Sequence, residues 1–379
     1  MRIFPDISPA SRRFYLAQRL TYTLLALILF IYGLIAVRNF LAPIAFGFLL
    51  AYLIYPVVKW LERHNVPRIL ANLIAIIGVL AILVSMFLIV YRKVSALSGD
   101  FPRMLEAAVA NLSEMLSNLG EYFGFDKAES RKFIQSQTAN IVQSGSQYIR
   151  ALFGATTSTI VSIGLLPVYI FMFLYYRTKF MYFLLKISAK EQRQEVVNIL
   201  REISTVMVRY MAGVILVVII LAIINSFGIY MIGLKYAIPL GVIAALFNLI
   251  PYFGTILGGL VPFLFAFLVQ GDMAMAFRVV LLFIVIQFLE NNILTPNIVG
   301  GNVKINPFFI ITGLFAASMV WGIPGMLLVV PFLAILRIVF SHLDAMKPYA
   351  FLLGDKGTSK HALSLENIRK FWYKNIIRK

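Results

Sequence analysis

Between Arg68 and Arg92 the chain runs for 23 residues, Ile69 to Tyr91, without one charged side chain. About 20 apolar residues are enough to cross the ~30 Å hydrocarbon core of a bilayer as a helix. Such a stretch leaves few folds open. Lipid offers no partner to a backbone N–H or C=O, so a lone spanning segment must satisfy them internally and is a helix. The pattern recurs at Leu20–Val37, at Phe40–Trp60 with Pro43 and Pro56 near its ends, and at Thr156–Tyr176 with Pro167 in its middle. It recurs again at Tyr210–Ile232 and from Arg278 to about Leu294. Composition agrees: 61% of residues are hydrophobic and 13% charged, against about 45–50% and 25% in soluble domains. The expected fold is all-α, a polytopic transmembrane helical protein.

The chain carries 34 Lys and Arg against 16 Asp and Glu. These cations lie in loops and tails between apolar runs, where they set topology and meet anionic lipid headgroups rather than nucleic acid. Arg2, Arg12, Arg13 and Arg19 precede the first run, and Lys59, Arg63 and Arg68 surround the turn between the second and third. The positive-inside bias places the N-terminus and that turn in the cytoplasm. No small-residue cleavage site follows the first run, so it reads as a retained signal-anchor span. Residues 347–379 hold eight Lys or Arg against Asp355 and Glu366, which puts the C-terminus on the same side.

Residues 92–150 are different, with seven Lys or Arg, six Asp or Glu and no run long enough to cross. Apolar positions from Leu105 to Leu119 recur at helical spacing and Gly120 is expected to end that helix; a second amphipathic stretch follows from Ile134 to Leu152. By parity this helical insert is extracytoplasmic: a lid, a docking surface for a sister subunit, or packing on the membrane domain. Residues 177–209 are basic again. Ser188-Ala189-Lys190-Glu191 has the form of a capping box, and the apolar face from Val196 to Met207 either lies on the membrane or continues into the fifth span. The organisation is therefore 1–91, N-terminal spans; 92–150, insert; 151–235, spans with the amphipathic helix; 236–340, transport core; 341–379, basic tail.

Two apolar stretches do not parse as plain spans. Tyr236–Val269 and Pro307–Phe340 are each 34 residues long, too long for one crossing. As two arms of ~15 residues they would reach only ~22 Å each. Pro251 and Gly254 mark the middle of the first, Gly322-Ile323-Pro324-Gly325 the middle of the second. Both read as broken or re-entrant hairpins, so the C-terminal half is hairpin, span, hairpin, an arrangement that points to a transporter's binding region. Val-Pro-Phe-Leu occurs late in both, at 261–264 and 330–333.

Enzyme signatures are missing: no Cys, three scattered His (His64, His342, His361), no P-loop and no Gly-x-Ser-x-Gly. No catalytic residue, metal site or cofactor is expected. The residue that stands out is Glu290, because an ionisable group near membrane depth is costly to keep. Carboxylates withdrawn from water hold a proton more tightly than exposed ones, which suits proton coupling. An interfacial position at the end of its span is the alternative. Asn291 and Asn292 either contact a polar solute or cation, or cap the helix end. Asn225 and Asn248, polar groups inside apolar runs, are each expected to bond a neighbouring helix, and Asn248 is also a candidate substrate or coupling residue beside Glu290. Pro251, Gly254, Gly258, Gly259, Pro296, Gly300, Pro307, Gly322, Gly325 and Pro331 serve backbone shape and close helix approach. Lys304 either pairs with Glu290 or is an ordinary cytoplasmic lysine.

With these residues in view, the C-terminal half resembles the autoinducer-2 exporter family. The carrying motifs are Asn248-Leu249-Ile250-Pro251-Tyr252-Phe253-Gly254, then Glu290-Asn291-Asn292-Ile293-Leu294-Thr295-Pro296 with Gly300, then Pro307, then Gly322-x-x-Gly325 with Pro331. Pro324 departs from the aliphatic residue expected between the two glycines. The resemblance implies an inner-membrane secondary transporter that exports a small polar solute such as autoinducer-2; some relatives look like sodium(cation)/proton antiporters. It also implies homo-oligomers, as pentamers, in which a transport unit moves against a scaffold. A non-transporting membrane scaffold is the reading from another class. The expected partners are the lipid bilayer, a small polar solute or cation, and further copies of the chain.

Overall fold

The computed structural model describes residues 9–123, 157–251, 253–299 and 304–355. Within them the regular structure is helical: α1 (Pro9–Ala36), α2 (Arg38–Arg63), α3 (Arg68–Phe123), α4 (Thr157–Ile187), α5 (Arg193–Ile232), α6 (Ala237–Phe247), α7 (Phe253–Leu264), α8 (Met273–Leu289), α9 (Thr295–Ile298), α10 (Pro307–Trp321), α11 (Ile323–His342) and α12 (Lys347–Leu353). Six stretches of described helix are long and apolar enough to cross a membrane: Gln18–Ala36, Arg38–Arg63, Arg68–Ser85, Lys190–Ile232, Met273–Ile298 and Ile323–His342. The protein is an all-α, polytopic membrane protein. Its apolar residues turn outward as well as inward; the α1 span buries nothing, with Phe30 and Ile28 more than 60% exposed. Lipid, not protein, solvates such a face.

Helix α5 is the spine. Its 40 residues rise about 60 Å at 1.5 Å each, and three clusters of buried side chains share it. Near its start, the proximal end, Ile203 and Met207 pack with Ala45 and Leu49 of α2 and with Leu328, Ala334 and Ile338 of α11. In its second half Val217 and Leu221 meet Ala245 of α6 and Ile286 of α8. At its distal end Ile229 packs with Ala237 and Leu240 of α6, Phe265 and Ala266 beyond α7, and Ala276 and Val279 of α8. A fourth cluster binds α2 to α3 and α4 through Ile54, Val58, Ala71, Ala75, Ile170 and Leu174. Glu62 of α2 fastens the proximal end of that layer. It lies 2.5 Å from Arg177 of α4 and 3.5 Å from Arg68 of α3, and the Arg177 guanidinium stands over the Tyr55 ring.

Of the two alternatives for the amphipathic segment after α4 the second is seen, since from Arg193 it continues into the fifth span as α5; other local expectations change. The capping box at Ser188 does not form, since Ser188 Oγ donates to the Leu184 carbonyl at 2.7 Å instead and neither following turn has a side-chain cap. α3 passes through Tyr91, Gly99 and Pro102 and continues beyond Gly120 to Phe123. Periodicity could not anticipate this, because a helix leaving the membrane keeps its backbone while its composition changes. The second half of α3 packs against the first hairpin: Met104 joins the distal cluster and Asn111 Nδ2 donates to the Leu268 carbonyl at 2.8 Å. The second amphipathic stretch, 134–152, Gly300 and the tail from 356 onward lie outside the described residues.

Both 34-residue stretches are helical hairpins. The first is α6 and α7, nearly equal arms of 11 and 12 residues, the second extended by a π turn over Phe265–Val269. The second hairpin is unequal: α10 has 15 residues, while α11 has 20 and is long enough to cross alone. Pro262 and Pro331, the prolines of the repeated tetrad, are both fully buried inside their helices. After α11 the chain turns back, and Leu353 of α12 accepts from the Asn306 N–H at 2.8 Å. The start of the basic tail is thereby tied to the loop that enters the second hairpin.

Candidate functional site

The first hairpin ends at Pro251 for a local reason. A proline disfavours helical geometry in the residue before it and has no N–H to donate, so α6 unwinds over Asn248, Leu249 and Ile250 in short turns back to Ala245, Leu246 and Phe247. The chain re-enters a helix at Phe253. Gly254 is buried directly against the backbone of Phe247 and Asn248, and Gly258, one turn on, against the Ala244 carbonyl; neither contact leaves room for a side chain. The two arms are therefore in backbone contact, and the tip presents Asn248 to α8. Its Nδ2 donates to Glu290 Oε1 at 2.5 Å. A hydrogen bond to a charged group in such a place contributes about 1.5–3 kcal/mol.

Glu290 is the residue at which α8 changes its winding. Pro296 cannot donate to the Asn292 carbonyl and its ring would crowd that oxygen, so the helix widens into a π turn over Glu290–Leu294. Short π segments of this kind occur often at functional sites. Asn291 and Asn292 are exposed, and Asn292 Nδ2 bonds back to the Phe288 carbonyl at 2.8 Å. Neither lines the space in front of Glu290. Lys304 is exposed, and no ion pair joins it to Glu290.

That space is a small, partly open pocket of about 20 Å³ between α5, α6, α7 and α8. Its polar walls are Asn225 of α5, Asn248 of the hairpin tip, and Gln287 and Glu290 of α8; Gly258 and Phe283 complete it over a floor of Leu221, Ala244 and Ile286. One water needs at least about 10–15 Å³ of such space. Phe283 and Gln287 also line a second, open groove of about 450 Å³ on the apolar outer face of α7 and α8. These two side chains separate the polar cavity from the membrane side.

Asn225 is the site residue that sequence reasoning undervalued. It is 3% exposed, and its Oδ1 has no hydrogen-bond partner, so the expected bond to a neighbouring helix is not made through that acceptor. One signal was available: Asn225 interrupts an apolar run of α5 whose other buried members, Val217, Leu221 and Ile229, repeat on one face with it. Gln287, one turn before Glu290, carried the same kind of hint.

The second hairpin does not reach this cavity. Asn306 caps α10, accepting from the Phe308 N–H at 3.0 Å, with Pro307 at the first helical position. Gly322 reverses the chain at φ +65°, Gly325 lies against the Ala317 carbonyl, and Pro331 is buried. Trp321 at the tip donates to the Leu34 carbonyl of α1 at 2.9 Å. The hairpin packs on α2 and α5. Of the sequence-predicted residues, the fold gathers Glu290, Asn248 and Gly258 at one cavity, with Pro251 and Gly254 shaping the tip behind them. Among the described residues, no three His, Asp or Glu side chains converge as a metal site would require.

The chain is 28% identical over 320 residues to "Putative transport protein YueF" of Bacillus subtilis, covering 79% of this chain and 84% of that protein. It is 25% identical over 324 residues to "Putative transport protein YrrI" of the same organism, covering 83% and 89%. The Escherichia coli K12 protein "Putative transport protein YhhT" is 21% identical over 334 residues, covering 87% and 93%. The signature of the AI-2E family transporters matches residues 24–345, from the first span to just past α11. Broken hairpin, π-turned span and second hairpin all fall inside that match, and the chain belongs to the AI-2E transporter family.

Proposed function

We propose that this protein is a secondary transporter of the bacterial inner membrane, with both termini cytoplasmic, that exports a small polar solute such as autoinducer-2. Glu290 is its coupling carboxylate and Asn248 the hairpin residue that engages it. The observation that carries this reading is the Asn248–Glu290 bond at the wall of a small, partly open pocket with four polar lining residues inside an apolar helix bundle. A carboxylate held there by a residue of a broken hairpin links a protonation event to a movable element. Proton binding neutralises Glu290, weakens its hold on Asn248 and frees the tip; loss of the proton restores the clamp. Polar groups at an interrupted helix are how transporters of several folds hold solutes. The hydrophobic face of α1 and the outer faces of α7 and α8 are left for lipid and for sister copies in a homo-oligomer, a pentamer by family analogy.

Sodium/proton antiport is a second reading, favoured by the size of the cavity: 20 Å³ accommodates a water or a bare cation and no furanone without opening. Everted vesicles separate the two. Saturable autoinducer-2 flux supports export, and proton release on adding sodium supports antiport. If neither flux is seen and Glu290→Gln alters none, the protein is a membrane scaffold and the transport reading is lost.

A further inference from the structure

The reading of Glu290 as a coupling carboxylate leaves one atom of the cavity unused. Asn225 Oδ1 is buried and has no hydrogen-bond partner, although its residue is 3% exposed and lines the same small cavity as Glu290. Buried acceptors without donors are rare in native structures, and each asks for a reason. The inventory of the cavity supplies one. Asn248 gives an N–H to Glu290 Oε1, which suits a carboxylate. A protonated Glu290 is a donor as well, through the O–H on its other oxygen, and needs an acceptor. Asn225 Oδ1 is an acceptor without an occupant.

We propose that Asn225 is the positioning residue for the protonated state of this site: its Oδ1 accepts the hydrogen bond of the Glu290 carboxyl, directly or through the single water that the cavity has room for. This rests on the coupling role given to Glu290 above. The two asparagines then divide the two states of one carboxylate. Asn248, on the hairpin tip, holds the charged form; Asn225, on the spine helix α5, holds the neutral form. Because they belong to different elements, taking up a proton moves the polar attachment of α8 from the hairpin to α5, and this is what lets the tip go. No other titratable side chain from α5, from either arm of the hairpin or from α8 lines the cavity, so the division turns on Glu290 alone. Gln287 cannot substitute for Asn225 in this role, since it rides on the same helix one turn from Glu290 and cannot report movement between elements.

The test is an infrared pH titration of the full-length protein in lipid vesicles, following the carboxyl C=O band that Glu290→Gln removes. Asn225→Leu, of similar size and without an acceptor, is expected to lower the pH at which the band appears by about one unit, a tenfold loss of proton affinity. Asn225→Ser keeps an acceptor and stays near the wild-type value. Asn248→Leu moves the midpoint the opposite way, because it strips the charged form of its donor. A midpoint that is unchanged or raised in Asn225→Leu overturns the proposal, as do shifts of the same sign in the Asn225 and Asn248 variants, or a band that survives Glu290→Gln. If Asn225→Leu does not fold, Asn225→Ala against Asn225→Ser makes the same comparison. Because the readout is protonation and not flux, it stands apart from the transport reading. That reading fails separately if Glu290→Gln keeps the pH dependence of transport.

Discussion

Gly258→Ala asks whether the small cavity lies on the transport path. Gly258 faces the other arm of the first hairpin, and a Cβ built there would sit 2.8 Å from the Ala244 carbonyl oxygen and 3.3 Å from its Cα. Reaching ordinary contact requires the arms to part by about 0.6 Å, an overpacking of the kind that costs about 1–3 kcal/mol. Removing a glycine from a helix interior returns about 1 kcal/mol. The net loss is therefore about 0–2 kcal/mol, a fall of a few degrees in Tm at most. The effect on the site is larger. Gly258 lines the small pocket that also holds Asn248 and Glu290, so parting the two arms of the hairpin shifts the tip that carries Asn248 and loosens its hold on Glu290. Folding and transport should separate: thermal unfolding in detergent close to wild type, and vesicle flux reduced tenfold or more, the equivalent of about 1.4 kcal/mol or above. Gly78→Ala is the control, since its Cβ meets nothing within 4 Å, and it should unfold no lower than wild type with full flux. Wild-type flux in Gly258→Ala would refute the reasoning and remove the cavity from the mechanism.

Other outcomes follow from the same geometry. Glu290→Gln retains a side-chain oxygen for Asn248 and should keep the fold while abolishing the pH dependence of transport; vesicle flux across a pH series checks this. Asn248→Leu leaves a part-buried carboxylate without its donor and should lower stability by about 1.5–3 kcal/mol with loss of flux, measured by unfolding and transport together. Glu62→Gln breaks the Arg177 and Arg68 contacts between α2, α3 and α4. Those groups are 23–38% exposed, so the cost falls between the surface and buried limits, about 1–3 kcal/mol, with flux per folded protein unchanged. The hydrogen bond and charge of Lys347 hold the Asp344 carboxyl below its ordinary range. Its contribution is therefore present at neutral pH and is lost as pH falls through that lowered value. The pair is fully exposed, so Asp344→Asn should leave the unfolding temperature at neutral pH where it was.

What the sequence determined about this protein follows from solvent. Uncharged runs such as Ile69–Tyr91 admit only helices in lipid, and Pro251 and Gly322–Gly325 break runs too long for one crossing, so five of the six expected spans and both hairpins were legible from composition and spacing. Glu290 was legible too, because a carboxylate at the end of an apolar run is conspicuous wherever it finally sits. The continuity of α3 through Gly99 and Pro102 to Phe123 was not, since a change in side-chain composition leaves the backbone helix intact. Which polar residues meet was decided by tertiary structure alone. Asn225, Asn248 and Glu290 are separated by 23 and 42 residues and lie on three different elements; no helical period relates them. Asn291 and Asn292, adjacent in sequence to Glu290, turn away from the cavity because Pro296 widens the helix at that turn and their side chains follow its exposed face. Asn225 reads in the sequence as one polar residue in an apolar helix, and only the packing of α5, the hairpin and α8 brings it to the same small pocket as Glu290.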